Sequence, residues 1–233
     1  MSTALIVTTI AVVVGASAQA TTGIGFGLVS SPFLVALLGK EGLRTSIFMG
    51  TLTCIAALLV HHREVKLPSA VRLFVPAAVV STGVAWIVRG ADTERVAAVA
   101  GALTILGVAA MARGLRSRRL EGDLGAVVAG ALCGGMTAVG GVGGPPAALY
   151  SLNAGWPARS RVATLQALFL ALNLVTLASL GLPRPRPVLL VALAVGWTAG
   201  ANVGRRLPEH GARTATLAVA ALGGAFALIR GIS

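Results

Sequence analysis

Two glycine-rich runs, each closed by proline, are the parts of this 233-residue sequence whose residue types and spacing could do chemistry. The first is Thr22-Gly23-Ile24-Gly25-Phe26-Gly27-Leu28-Val29-Ser30-Ser31-Pro32. The second is Gly134-Gly135-Met136-Thr137-Ala138-Val139-Gly140-Gly141-Val142-Gly143-Gly144-Pro145-Pro146. Such runs oppose continuous helix, through the backbone entropy of glycine and the missing N–H of proline. Each ends on a helix-start signal, Ser31 as N-cap before Pro32 and Gly144 before Pro145. An unwound stretch leading into a helix N-terminus offers free N–H groups and the positive end of a dipole, which favours an anion. Glycine also lets a tetrahedral or pyramidal oxyanion approach the main chain. One such run would be read as close helix packing; two matched runs point to a binding site.

Other polar groups could join it. Gln166 and Asn173 are seven residues apart, on one helical face, and could hydrogen-bond a substrate oxygen or each brace a neighbouring helix. Cys54 and Cys133 have no metal-ligand spacing and read as small buried residues. His61-His62 read as interfacial, and Trp86, Trp156 and Trp197 as candidate interface anchors.

The elements that position these residues follow from where charge is missing. Charged residues make up 11% of the chain against 56% hydrophobic, with mean hydropathy +0.88. A soluble domain carries about 25% charge, so a bilayer is the natural solvent. The uncharged stretches are 1–39, 45–60, 73–88, 96–112, 124–158, 162–183, 187–204 and 214–229. Eight apolar segments joined by short charged loops define an all-α polytopic membrane protein. No His, Asp or Glu falls inside a span, so the sequence holds no catalytic constellation at depth and no carboxylate proton relay. The sequence calls for no enzyme activity, metal or cofactor.

The order of segment lengths, one double and three single, occurs twice. Pro68 and Pro183, Ser81 and Gly196, and Ala85 and Gly200 match at an offset of 115. The reading is two homologous halves, 1–115 and 123–233, joined by a basic linker at 116–122. A 35-residue helix would rise about 52 Å, well beyond one crossing, so each double segment is expected to be a helix, an unwound stretch and a short helix of about seven or eight residues. Met1–Ala20 ends in the signal-peptidase-like Ala16-Ser17-Ala18, but it lacks a basic start and its counterpart at 124–158 is internal, so it reads as a retained span.

Two topologies stay open. If each double segment crosses once, the 19 basic residues divide 10 to 9 between the two sides. If each is a re-entrant hairpin, they divide 12 to 7, with the 63–72, 113–119, 159–161 and 205–213 clusters together, and the halves are inverted. The positive-inside rule favours hairpins, with both termini outside. The net charge of +12 is spread over loops without aromatic interleaving, which fits anionic lipid rather than nucleic acid.

The second motif, GGMTAVGGVGGPPAALYSL, resembles the fifth-segment signature of the TauE/SafE sulfite-exporter family, the sulfite/sulfonate permeases. The two-half plan fits that family across nearly the whole chain. The resemblance implies a transporter of sulfite, sulfonates or related small anions in the bacterial inner membrane. It implies a site at Gly140, Gly141, Gly143, Gly144 and Pro145, with Gly23, Gly25, Gly27 and Pro32 as first-half equivalents. The first motif departs from the family's denser glycine pattern: Phe26 interrupts it, and Ser30-Ser31 precede Pro32, adding two hydroxyls to the candidate substrate-binding set. The mechanism expected is a facilitated anion carrier; an anion channel and a non-transporting assembly subunit are the alternatives. Expected partners are the anion, membrane lipid and, compatibly, a second copy in a homodimer.

Overall fold

The computed structural model describes residues 2–114, 122–203 and 209–232; all of the linker except Gly122 lies outside them. Among the described residues the fold is all α, with no strand. The helices are α1 (Thr3–Thr22), α2 (Phe26–His61), α3 (Leu67–Gly90), α4 (Thr93–Arg113), α5 (Gly122–Gly140), α6 (Gly144–Asn153), α7 (Ala158–Leu180), α8 (Pro187–Val203) and α9 (Glu209–Ile232). Seven are long and apolar enough to cross a membrane, while α8 is apolar but has 17 residues.

Both double segments are broken, but not where the prolines suggested. The first break is Gly23–Gly25, and α2 starts at Phe26 with Gly25, not Ser31, at the N-cap. Pro32 therefore lies inside the helix. The cap comes from another helix: Gln19 Oε1 accepts the Phe26 N–H at 3.1 Å, giving an early start that no local residue encodes. The second break is only Gly141–Gly143, since α5 continues through Gly134 and Gly135 to Gly140. Gly143 caps α6, one residue before the expected Gly144. The helix that follows is ten residues long rather than seven or eight.

A second reversal occurs inside α2. Gly39 takes φ 60° and ψ −139°, a conformation that side chains disfavour, and folds the chain back on itself. Gly42 then packs against the Leu34 carbonyl, and Gly50 lies beside the Phe26 ring. A 13-residue arm (26–38) thus runs antiparallel to the rest of α2. The same arm runs antiparallel to α1, where Ser30 Oγ donates to the Ala11 carbonyl at 3.1 Å.

Loop contacts locate the two ends of the bundle. Lys40 Nζ donates to the Arg89 carbonyl, and Arg184 N–H to Glu41 Oε1, which groups the Gly39 reversal with the α3–α4 and α7–α8 turns. At the opposite end, Ser160 Oγ donates to the Glu64 carbonyl, Lys66 N–H to Thr164 Oγ1, and Tyr150 Oη to the Gly122 carbonyl. The α1–arm hairpin therefore opens at the first end and the α5–α6 hairpin at the other. Thirteen and ten residues rise about 20 and 15 Å, so both tips fall near the middle of a roughly 30 Å hydrocarbon core.

Close packing joins each hairpin to one other helix, α1 to α8 and α5 to α3. Gly196 and Gly200 on α8 meet the carbonyls of Val13 and Ser17 on α1, and Gly130 and Gly134 on α5 meet those of Leu73 and Ala77 on α3. A side chain at any of these glycines would strike backbone, as in small-residue membrane packing. Ser81 and Ala85 do not share this role. Ser81 Oγ lies 2.7 Å from Thr176 Oγ1 on α7, and Ala85 is buried in one core cluster with Leu177 of α7, so the matched positions face different neighbours.

Candidate functional site

The two hairpin tips touch. Gly27 packs on the Gly141 carbonyl, and a Cβ at Gly144 would stand 3.3 Å from Ile24 Cγ2. Between them lies a cavity of about 60 Å³. Its walls are the first tip (Gly25, Phe26, Gly27, Leu28), the second tip (Gly141, Gly143, Gly144), and side chains of α1, α2, α5 and α7. None of the lining residues is charged.

The polar groups facing it are dipoles. A helix beginning at Phe26 leaves its first N–H groups without intrahelical acceptors; Gln19 takes that of Phe26, and the next two residues, Gly27 and Leu28, line the cavity. Asn173 and Ser46 add an amide and a hydroxyl. Ser46 Oγ is buried without a hydrogen-bond partner, and so is Ser31 Oγ. Both hydroxyls approach Gly141: a Cβ there would lie 2.6 Å from Ser31 Oγ and 3.5 Å from Ser46 Oγ. Buried hydroxyls are normally hydrogen-bonded, so two unpaired ones beside a helix break mark unfilled hydrogen-bonding capacity.

The tertiary structure divides the candidate residues. Gly25, Gly27, Gly141, Gly143, Gly144 and Asn173 line the cavity, and Ser31 stands just behind it. Gly23 caps α1 and packs on Val162; Gly140 packs on Ala100. Ser30 faces α1, Pro32 is buried in its helix, and Pro145 packs on Gly107, facing away from the cavity. Gln166 does not line the cavity. Its amide donates to the Gly23 carbonyl and accepts from Gln19 Nε2 at 3.2 Å, so it braces the first break and leaves its helical partner Asn173 to face the interior.

Gln19 caps α2 and lines the cavity, and it is not among the residues the sequence singles out. It sits seven residues before the N–H it caps and was masked by the signal-like Ala16-Ser17-Ala18 beside it. A lone glutamine inside an uncharged span was the available signal. Cys54 also lines the cavity, whereas Cys133 packs behind Gly143.

Membrane-spanning helices, two hairpins broken at mid-depth and an uncharged polar cavity where their tips meet define the architecture of a transport protein. The chain belongs to the sulfite exporter TauE/SafE family, whose pattern it matches over residues 7–228. It is thus a multi-pass member of a membrane transporter family. Comparison with curated proteins and with solved structures gives no match.

Proposed function

We propose that the protein is a permease for small oxyanions, sulfite and organosulfonates foremost, in the bacterial inner membrane. The observation that carries this reading is the meeting of two helix breaks around a cavity that holds N–H, amide and hydroxyl groups but no formal charge. Gly27, Leu28, Gly143 and Gly144 supply main-chain donors, Asn173 and Ser46 supply side-chain donors, and Gln19 with Gln166 holds the first break in shape. Dipoles bind an anion without the deep trap a buried arginine would create, and transport needs binding weak enough to release.

The halves form an inverted repeat in this proposal. Its support is that one hairpin opens at each end of the bundle, and that α1 of the first packs on α8 while α5 of the second packs on α3. Alternating access follows as a rocking of the hairpin tips about the cavity. With no carboxylate in the spans, the driving force is the substrate gradient and the membrane potential, worth about 2.3 kcal/mol per charge per 100 mV. Under the positive-inside rule the end holding Glu64, Lys66 and Arg161 is cytoplasmic, and the potential drives anions outward.

Proteoliposomes loaded in turn with sulfite, sulfate, a sulfonate and a small carboxylate test the proposal. Saturable sulfite efflux, accelerated by an inside-negative potential and indifferent to a pH gradient, is expected. Absence of flux for every anion refutes it.

A further inference from the structure

A second cavity, of about 120 Å³, lies between the central one and the end of the bundle that holds Glu64 and Lys66. Thr22, Met111, Arg161, Arg213 and Thr216 are among its walls, and it shares Ile24 and Leu28 with the central cavity. Those two side chains form the partition between the two spaces. From this we infer that the second cavity is an anion-loading vestibule, in which Arg161 and Arg213 collect the oxyanion on the cytoplasmic side before it passes Ile24 and Leu28. The inference rests on the permease reading and deepens it.

Three observations support this assignment. First, among the described side chains, which do not include that of Glu209, neither arginine meets a carboxylate. Arg213 spends one N–H on the Met111 carbonyl, at 2.8 Å, and keeps the rest of its fork. Second, two arginines at the opposite end stand beside acids of their own turns. Arg44 stands 3.7 Å from Glu41, and Arg95 stands 3.3 Å from Asp92. Third, guanidinium groups suit polyoxygen anions, offering paired donors and a charge that is always present. The two cavities therefore divide the task. Fixed charge raises the local anion concentration in the wet vestibule, while the neutral inner site accepts and releases the anion.

The test uses sulfite as the probe and the full chain in proteoliposomes whose orientation is established by an impermeant thiol reagent. The double variant Arg161→Gln/Arg213→Gln is expected to raise the sulfite KM at the Glu64–Lys66 end about tenfold, the scale of losing two nearby charges in a water-filled space. The KM from the opposite face should stay within about twofold, which also shows that the variant is folded. Arg161→Lys and Arg213→Lys should each keep most of the wild-type affinity.

Should the double variant fail to insert, wild-type protein carries the same prediction. Added potassium gluconate should raise the KM at the Glu64–Lys66 end and leave the other unchanged, because screening acts on the vestibule charges. An unchanged KM at the basic end, or an equal rise at both ends, overturns the vestibule and leaves the permease standing. No sulfite flux in the wild type overturns both.

Discussion

At the scale of single residues, the two glycines that open α6 make different demands. A Cβ on Gly143 would collide with Thr137 Oγ1 and lie 2.5 Å from the Cys133 carbonyl, whereas one on Gly144 meets only Ile24, at 3.3 Å. Gly143→Ala should therefore destabilise the fold, by about 1–3 kcal/mol, read as a lowered melting temperature in detergent. Gly144→Ala should be tolerated. Gly144→Val drives a branched side chain toward Ile24, and sulfite flux should drop at least tenfold (about 1.4 kcal/mol) while membrane insertion is kept. Unchanged flux in Gly144→Val would remove the second tip from the site. The Gln19–Gln166 pair yields a further prediction. Gln19→Leu leaves the buried Phe26 N–H and the Gln166 carbonyl oxygen unpaired, at about 1–3 kcal/mol. A double-mutant cycle with Gln166→Leu should show the two losses to be strongly non-additive; simple additivity would mean they act separately.

At the scale of elements, the reversal at Gly39 separates a re-entrant hairpin from a single long helix. Its backbone lies where side chains are strained, and a Cβ would press on Thr93 Cγ2 at 2.5 Å. Gly39→Ala should cost about 1–3 kcal/mol and loosen the seat of the first tip. A nitroxide pair at Phe33 and Phe48, neither of them fully buried, measures this: a short interspin distance is expected in the parent, and a lengthened one when Gly39→Ala is added. The sequence showed that this segment had to break, because 39 uncharged residues exceed one crossing. It placed the second break within a residue of its helix start at Gly144, where consecutive prolines follow. It misplaced the first because the Phe26 N–H is capped by Gln19, a partner on another helix. Proline marks a helix start only when no tertiary cap supplies an earlier one.

At the scale of the whole molecule, the hairpin arrangement puts α1 and the end of α9 at the same side of the bundle. Gly231 packs against Ala98 and the Glu94 carbonyl near the α3–α4 turn, where the arm beside α1 also ends. Single cysteines at Thr3 and at the exposed Ile232, in a background with Cys54→Ala and Cys133→Ala, should both label from outside intact cells. A cysteine at Glu64 should label only from the cytoplasm. Opposite labelling of Thr3 and Ile232 would exclude the paired-hairpin topology, and labelling of both only from the cytoplasm would reverse the orientation.

From the sequence alone came the solvent, the spans and the two breaks, because scarce charge and long uncharged runs admit only helices in lipid. It also kept the protein's own charged side chains out of the interior, since no Asp, Glu, Lys or Arg lies inside the uncharged stretches. Which residues face the cavity was decided by tertiary structure. In a bilayer the lipid-facing and protein-facing sides of a helix are both apolar, so hydrophobic periodicity does not reveal the inner face. Gln166 and Asn173 share one helical face, yet one braces Gly23 and the other faces the cavity. What separates them is depth along α7 relative to the first tip. That depth is set by contacts between residues more than a hundred positions apart, such as Gly27 with Gly141 and Ile24 with Gly144.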